Sequence, residues 1–323
     1  MSLIPDNKKR EKADRPPLMR RLAKDIRRNW IAYAMFLPVL LFYLIFCYKP
    51  MYGILIAFKN YSPGKGIWGS AWAANYGFQH FISFFKSVYF GRLLRNTLTI
   101  SITSLLVTFP LPIILALLIN EVRGKVFKSA FQTLSYLPHF ISLVVICSMV
   151  KLFVGNNGFI TNIMVSMGIA EEGLSMLTNK DFFVPIYVLS GLWQTLGWSA
   201  IIYTSALAGV DQELYEAARI DGANRWKQTI HVTIPSIMMT VLMMFILRIG
   251  SIMSVGYEKI ILLYNQEIYE TADVISTFVY RRGLLDANWS YSAAVGLFNS
   301  VINLTLVVTA NKVSKKLSGM GLW

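Results

Sequence analysis

Six long apolar stretches constrain the fold of this chain more than any other feature of its sequence. Each is about as long as the roughly 17–25 residues that cross the hydrocarbon core of a bilayer as a helix. The chain is 55% hydrophobic and only 15% charged, whereas about a quarter of an average soluble domain is charged. We therefore predict an all-α, polytopic membrane protein with six transmembrane helices. The predicted spans are residues 31–49, 96–119, 132–153, 184–207, 235–257 and 289–311.

The distribution of lysine and arginine between the loops predicts how the chain is oriented. Nineteen of these residues lie before the first span, after the last span and in the loops at 121–130 and 208–233. Eleven lie in the loops on the other side, although those loops are longer in total. Loops rich in lysine and arginine stay in the cytoplasm, so we expect both termini and the 208–233 loop there. The formal net charge of +14 then reflects topology, and nucleic-acid binding is not expected.

This topology divides the chain into three parts. Residues 1–30 form a basic cytoplasmic segment, in which the spacing of apolar residues over 18–30 predicts an amphipathic helix at the membrane interface. The same basic residues also suit a simple topological anchor. Residues 31–311 form the transmembrane domain, which includes a cytoplasmic hairpin at 208–235, and residues 312–323 form a cytoplasmic tail.

Motifs of catalysis and metal binding are missing from the sequence. There is no G-x-x-x-x-G-K-[ST] phosphate-binding loop and no H-E-x-x-H zinc motif. The three histidines are far apart, and no nucleophile lies in a pattern that suggests a partner base. The sequence therefore predicts neither an enzyme nor a cofactor or metal site in this chain.

The loop between the fourth and fifth predicted spans is a polar island that carries helix signals. Asp211 is a predicted N-cap for a first helix. Gly222 supplies the left-handed conformation that ends a helix, and Asn224 is a predicted cap for a second one. We expect this second helix to cover residues 225–232 and to stop before Pro235, which opens the fifth span.

The same loop resembles the signature of permease subunits of binding-protein-dependent ABC importers. That signature is E-A-A, three residues, G, nine residues and I-x-L-P. Here Glu-Ala-Ala at 216–218 is followed by Gly222 and, after nine residues, by Val-Thr-Ile-Pro at 232–235. Within these permeases the chain is most similar to the carbohydrate branch, especially to members that handle oligosaccharides or alginate- and pectin-type fragments. This second similarity is carried by residues 257–265, 269–277 and 294–298.

The resemblance implies a permease with the type I importer fold in the bacterial cytoplasmic membrane. Such a chain forms half of a translocation pathway for an oligosaccharide and is not itself catalytic. Its implied partners are a second, homologous permease, a dimeric cytoplasmic ATPase that binds ATP and magnesium, and an extracytoplasmic solute-binding protein. The hairpin is expected to dock on the ATPase. The residues implied in this coupling are Glu216, Ala217, Ala218, Arg219, Asp221, Gly222 and Pro235.

Polar and aromatic side chains within the spans are candidates for substrate contacts. Aromatic faces suit the apolar C–H faces of sugar rings, while amide and charged groups suit the hydroxyls. Tryptophan and tyrosine also mark membrane interfaces, asparagine also joins helices, and an acidic residue or a carbonyl is an equal alternative partner for the arginine. The candidates are Trp193, Gln194, Trp198, Tyr203, Arg248, Tyr257, Glu258 and Asn299.

The charges of the outer loops favour an acidic cargo. The loop at 50–95 holds five lysines and arginines and no aspartate or glutamate, and Arg281 and Arg282 lie in the last outer loop. A positive surface attracts anions over a Debye length, so we predict an oligosaccharide that contains uronic acids. Lysine-rich loops also suit contact with an acidic binding protein.

Two other classes of protein stay open as alternatives. A secondary sugar transporter that works alone on an ion gradient needs a proton- or sodium-coupling site within its spans. A scaffold or channel subunit needs neither that site nor an ATPase. An ATPase that co-purifies with the chain distinguishes the importer subunit from both, whereas transport by the chain alone contradicts it.

Overall fold

The computed structural model describes residues 19, 25–169, 172–173, 175–319 and 321–322. Within these ranges the regular secondary structure is helical, apart from an isolated bridge between Lys59 and Trp72. The predicted all-α class is confirmed. The chain forms two compact units, which divide between Leu55 and Ile56.

The first unit contains an apolar helical segment in which every residue from Trp30 to Tyr52 is exposed. A helix that is apolar all round and buries none of its side chains suits a lipid environment. It agrees with the first predicted span, 31–49, whereas most of the amphipathic helix predicted at 18–30 lies outside the described residues. The segment consists of α1 (Trp30–Phe42), a π-helical turn (Tyr43–Tyr48) and α2 (Lys49–Met51). A 3-10 helix (Tyr52–Phe58) follows, and the division between the two units falls within it.

The second unit holds the other α-helices of the described residues. They are α3 (Gly66–Gly69), α4 (Gln79–Phe85), α5 (Phe90–Thr108), α6 (Pro110–Glu121), α7 (Lys125–Tyr136), α8 (Leu143–Val154), α9 (Phe159–Ser166), α10 (Lys180–Ala208), α11 (Gln212–Ile220), α12 (Arg225–Gln228), α13 (Ile234–Gly250), α14 (Tyr257–Leu263), α15 (Tyr269–Ala272), α16 (Ile275–Tyr280) and α17 (Trp289–Ser318). Shorter 3-10 helices lie at Pro63–Lys65, Asn75–Gly77, Leu137–Phe140, Met176–Thr178 and Gln266–Ile268, and π-helical turns at Thr229–Thr233 and Arg281–Leu285.

Five helical segments of the described residues are long and apolar enough to cross a membrane. The predicted fourth span, 184–207, lies within α10, which has 29 residues. Glycine, glutamine and threonine interrupt its apolar side chains because this helix lines a polar cavity, described below. A count of six spans stays a prediction. The five segments are Trp30–Phe58, Phe90–Glu121, Leu143–Ser166, Arg225–Gly250 and Trp289–Lys316.

The third predicted span, 132–153, is not a single helix. The α7 helix ends at Tyr136, a 3-10 helix follows at Leu137–Phe140, and α8 begins only after Ser142, whose side chain caps it. Pro138 lies in this break and has no N–H to donate to a helix. The prediction of one continuous span here was wrong because apolar composition does not reveal where the backbone leaves the helix.

The fifth predicted span also ends earlier than expected. The α13 helix stops at Gly250 rather than at residue 257. Glycine and serine, which are weak helix formers, occupy three of the six positions between α13 and α14. As a consequence Tyr257 and Glu258 belong to the short helix α14 and not to a long span.

Two apolar clusters hold the functional regions in place. One is built around Phe183 of α10 and includes Ile260 of α14. The other joins α10 and α13 through Leu207 and Ile237, and Tyr215 of α11 packs against it. The first cluster fixes the segment that follows α13, and the second fixes the base of the polar island.

A buried carboxylate holds the last predicted outer loop against α5. Asp273 is 0% exposed, and its Oδ2 lies 2.6 Å from Nη2 of Arg281 and 3.4 Å from Nη2 of Arg92. The Thr277 hydroxyl donates to the other carboxylate oxygen at 2.7 Å. Asn96 Nδ2, on α5, donates to the Asp273 carbonyl at 2.9 Å. Because a buried charge is stable only when it is paired, both arginines depend on this one carboxylate.

We predict that Asp273→Asn destabilises the chain by about 3–5 kcal/mol, because it leaves two partly buried guanidinium groups without their counter-charge. Thermal melting of the detergent-purified chain, followed by circular dichroism, measures the effect. Asp286→Asn is the matched control, since it breaks the half-exposed pair with Arg282, whose atoms are 2.9 Å apart, and such pairs contribute about 0–1 kcal/mol. Equal melting shifts in the two variants would contradict the assigned role of Asp273.

Candidate coupling surface and translocation cavity

The polar island forms a hairpin of α11 and α12 with a turn set by local capping. Asp211 Oδ1 accepts a hydrogen bond from the Glu213 N–H at 3.0 Å, and Asn224 Oδ1 accepts one from the Lys227 N–H at 2.9 Å. Between the two caps Gly222 has a φ of +75°, a conformation that side chains with a Cβ disfavour. Both predicted caps and the predicted glycine turn are confirmed.

Hydrogen bonds within the turn make it stiff. The Gly222 N–H donates to the Arg219 carbonyl at 3.0 Å, and the Ala223 N–H donates to the Ala218 carbonyl at 2.9 Å. From the second arm, Gln228 Nε2 donates to the Ala223 carbonyl at 2.7 Å. The Ala218 and Arg219 carbonyls at the end of α11 thus accept backbone hydrogen bonds, as in a Schellman-type helix end.

The sequence predicts that the second helix of the hairpin stops before Pro235, and this prediction was wrong. The helix runs from Arg225 to Gly250 without a break, through a π-helical turn at Thr229–Thr233. Pro235 stands in the first turn of α13, directly after that π turn. The missing N–H of Pro235 thus falls where the hydrogen-bond pattern changes from the π turn to the α-helix. The hairpin is therefore continuous with a membrane-spanning helix.

Side-chain contacts fix the hairpin to the rest of the second unit. The Tyr215 hydroxyl lies 3.0 Å from Oγ1 of the buried Thr233. Arg225 forms an ion pair with Glu121 at the end of α6. The inner side of α11 is thus tied to the start of α13, while its other side carries no such contact to the described residues.

The outer face of the hairpin is exposed and partly apolar. Leu214 is 49% exposed, Ile220 87% and Trp226 72%, and the sequence reading had not assigned these three to the site. A large exposed apolar side chain is a signal only once exposure is known, so the sequence alone could not reveal it. Of the predicted coupling residues, Ala218 is half-buried, and the exposed ones are Glu216, Ala217, Arg219, Asp221, Gly222 and Pro235.

A polar cavity of about 300 Å³ lies between α5, α10, α13 and the segment that leads to α14. Its charged lining residues are Arg248 and Lys259, and no aspartate or glutamate is among the described residues that line it. Hydroxyl and amide groups complete the polar lining. These groups come from Ser101, Ser104, Thr108, Gln194, Thr195, Ser251 and Ser254.

Arg248 lies on α13 with a hydroxyl as its partner. Its Nη2 donates to Thr108 Oγ1 of α5 at 3.3 Å, and the ion pairs of the described residues do not include it. The sequence reading had left an acidic residue or a carbonyl open as its partner. Arg248 also lines a neighbouring cavity of about 400 Å³, so one guanidinium borders both spaces.

Two aromatic candidates lie around this second cavity. Trp198 and Tyr203 of α10 line it together with Arg248. The Trp198 indole is stacked on His139, with ring centroids 4.5 Å apart and planes inclined by 5°. The structure thus brings together four of the predicted path residues, because Gln194 lies on the first cavity and Arg248 joins the two.

The other four candidates lie elsewhere. Trp193 lines an apolar cavity of about 440 Å³, while Tyr257 and Asn299 line a fourth cavity of about 520 Å³ near α16 and α17. Glu258 is exposed and lines none of these four cavities. The composition of the spans could not distinguish the candidates that lie at the two cavities beside Arg248 from those that lie elsewhere. The reason is that the helix face that meets a cavity depends on tertiary packing.

Lys259 is the second cation of the polar cavity and was missed from the sequence. The residue is 7% exposed, and its Nζ donates to the Tyr187 carbonyl at 2.8 Å and lies 4.8 Å from the centroid of the Tyr187 ring. Burial lowers the pKa of this ammonium to about 8. Its only sequence signal was a single lysine beside an apolar run, a pattern that usually describes a solvent-exposed residue.

Several of the positive side chains in the predicted outer loops stabilise the loops themselves. Arg281 is paired with the buried Asp273, and Arg282 with Asp286. Lys59 donates to the Ile67 carbonyl at 2.9 Å and is only 5% exposed. The sequence reading treated these side chains as an anion-attracting surface, whereas the structure places two cations inside the cavity instead.

Comparison with known proteins identifies the class. Residues 108–315 match the family described as binding-protein-dependent transport system inner membrane component. Protein LplB of Bacillus subtilis (strain 168) is 43% identical, over 92% of this chain and 92% of its own length. The polygalacturonan/rhamnogalacturonan transport system permease protein YteP of the same organism is 42% identical, over 94% of this chain and 93% of its own.

A solved structure has the same fold. It is a chain of the bacterial alginate ABC transporter in complex with alginate pentasaccharide-bound periplasmic protein, with a TM-score of 0.83 and 42% identity over 94% of this chain and 100% of that chain. Helices around a polar cavity and an exposed hairpin thus define a transporter membrane subunit. The chain belongs to the family of inner membrane components of binding-protein-dependent transport systems, as its sequence predicted.

Proposed function

We propose that this chain is a transmembrane subunit of an ATP-driven importer and forms half of the translocation pathway for an oligosaccharide. Its similarity to a polygalacturonan/rhamnogalacturonan permease and to an alginate transporter supports the class of cargo. The chain itself is non-catalytic, and a partner ATPase binds ATP and magnesium and hydrolyses the nucleotide. The remaining partners are a second, homologous permease and an extracytoplasmic solute-binding protein, such as the periplasmic protein bound to the related transporter.

The observation that carries the proposal is the continuity between the hairpin and the cavity. One helix runs from Arg225, beside the hairpin turn, to Gly250, and Arg248 lines both cavities near its end. At about 1.5 Å per residue this helix spans about 35 Å between Arg225 and Arg248. A displacement of the hairpin by an ATPase is therefore transmitted to the cavity wall rather than absorbed by a flexible joint.

The hairpin surface suits a protein partner. Ile220 and Trp226 present large apolar side chains at the turn, and such exposed aromatic and aliphatic groups act as anchors in protein interfaces. Ala217 is exposed and short, so a partner can approach the α11 backbone closely. Glu216 and Arg219 beside it form a polar rim that fixes orientation. These features support docking of the ATPase through the predicted coupling residues.

The cavity supports an acidic cargo. Arg248 and Lys259 line it without a carboxylate among the described lining residues, so the carboxylate of a sugar acid supplies the missing counter-charge. Polygalacturonan and alginate, which the related transport proteins are named for, are both polymers of uronic acids. We infer that the oligosaccharide contains uronic acids. The inference rests on the positive charges of the cavity and not on those of the loops.

Gly222→Val is expected to uncouple transport without blocking membrane insertion. A valine at a φ of +75° is strained by about 1–2 kcal/mol, so the turn shifts, although no other atom lies within 4 Å of the new Cβ. ATP-dependent oligosaccharide uptake by the importer, reconstituted in proteoliposomes with its partner subunits, should fall about tenfold. Membrane yield of the chain should stay at the wild-type level.

Gly168→Val is the matched control for this experiment. Gly168 has a φ of +72°, also has open space around it, and ends α9 with the same pair of backbone hydrogen bonds, from Gly168 to Val165 and from Ile169 to Met164. It lies in a different loop, between α9 and α10. Normal uptake by Gly222→Val, or an equal loss in Gly168→Val, would sink the proposed coupling role.

For the cargo, the wild-type importer should take up an acidic oligosaccharide faster than a neutral one of equal length. The physical reason is the pair of cations in the cavity, since charge-assisted hydrogen bonds are stronger than neutral ones. Uptake of labelled tetragalacturonate and of maltotetraose into the same proteoliposomes measures the preference. A faster rate for the neutral sugar would rule out the acidic assignment while leaving the importer class intact.

A further inference from the structure

Lys259 combines deep burial with an incomplete set of hydrogen bonds. An ammonium group has three donors, and the described contacts of Lys259 Nζ are one hydrogen bond to the Tyr187 carbonyl and the face of the Tyr187 ring. The ion pairs among the described residues do not include it. A buried cation without a counter-ion is costly, and the lysine borders the polar cavity.

The backbone opposite Lys259 is shaped for this ammonium. An ideal Cβ built on Gly191 of α10 would stand 3.0 Å from Lys259 Nζ, which is closer than ordinary van der Waals contact. Glycine at this position lets the ammonium lie against the helix and reach the carbonyl one turn earlier. Gly191 lines the same cavity, so the ammonium is held at the cavity wall.

A second cation faces the same space from another element. Arg248 lies on α13, whereas Lys259 lies on α14, and the other ionisable groups that face the Lys259 ammonium are Tyr187 and the Cys147 thiol. The preceding residue, Glu258, is exposed and does not line this cavity. An anion that enters the cavity therefore finds a lysine with donors to spare and an arginine whose one described hydrogen bond goes to a hydroxyl.

We propose that Lys259 is a specificity-determining residue whose ammonium binds the carboxylate of a uronic acid unit as the sugar chain passes through the cavity. The proposal rests on the oligosaccharide import inferred above and assigns the acid-recognising contact within it. Tyr187 and Gly191 position the ammonium, and Arg248 binds a second polar group of the same chain. A purely structural role, in which Lys259 only caps the Tyr187 carbonyl, is the competing outcome.

Lys259→Met tests the proposal because it keeps the length of the side chain and removes the charge. The importer with its partner subunits is reconstituted in proteoliposomes, and uptake is measured for tetragalacturonate and for its carboxyl-reduced form, the corresponding galactose tetrasaccharide. The ratio of the two rates should fall about tenfold, as expected for the loss of one charge-assisted hydrogen bond. Lys259→Arg should retain most of the wild-type ratio.

Lys59→Met is the matched control. Lys59 is also buried, donates its ammonium protons to the carbonyls of Ile67 and Trp68, and lies 5.2 Å from the centroid of the Trp72 ring. It lines none of the four cavities described above. Removing its charge should leave the ratio of acidic to neutral uptake at the wild-type value.

Equal losses for both sugars in Lys259→Met, or an unchanged ratio, would overturn the proposal. Where Lys259→Met fails to assemble with the ATPase, Gly191→Ala decides, because its Cβ displaces the ammonium without removing the charge. The ratio should then change about threefold or more, and an unchanged ratio contradicts the assignment. Failure of the importer function itself is distinct, since the wild type would then show no ATP-dependent uptake of either sugar.

Discussion

The helix from Arg225 to Gly250 begins at an exposed turn and ends at the wall of a polar cavity. Its main-chain hydrogen bonding persists through the π-helical turn at Thr229–Thr233, and Tyr215 ties α11 to that turn through Thr233. The hairpin and the cavity are therefore linked by one continuous helical segment. The proposed coupling requires this segment to move as a unit, and it depends on that continuity more than on any single contact at the surface.

Four cations of the second unit differ in whether a carboxylate of the described residues pairs with them. Arg92 and Arg281 share the buried Asp273, which fixes the loop after α14 against α5. Arg248 and Lys259 remain at the cavity, where the described lining residues offer no carboxylate. Low-dielectric surroundings strengthen the attraction of such cations for an anion. The proposed acidic sugar chain would supply the counter-charge that these described lining residues lack.

Local signals predicted the hairpin well, whereas contacts between distant residues escaped the sequence. Asp211, Gly222 and Asn224 act within a few residues of themselves, so capping rules located them. The helix continues past Pro235 through a π turn, and no residue pattern in the sequence predicts that turn. The cavity role of Lys259 arises from its packing on α10, far away in the sequence. Five of the six predicted spans overlap a segment that is long and apolar enough to cross a membrane, but composition did not reveal the break within the third.

Transmission from hairpin to cavity is tested most directly by the reactivity of a cysteine at Gln194, which lines the polar cavity. The native cysteines are first removed by replacing Cys47 with serine and Cys147 with alanine. The rate of maleimide labelling of Gln194→Cys is then measured in the nanodisc-embedded importer, without nucleotide and after trapping with ATP and vanadate. The labelling rate should change at least about fivefold on trapping, and Gly222→Val should abolish the change. The account would be contradicted if Gln194→Cys alone showed no change in labelling rate on trapping. It would also be contradicted if the change were equally large with and without Gly222→Val.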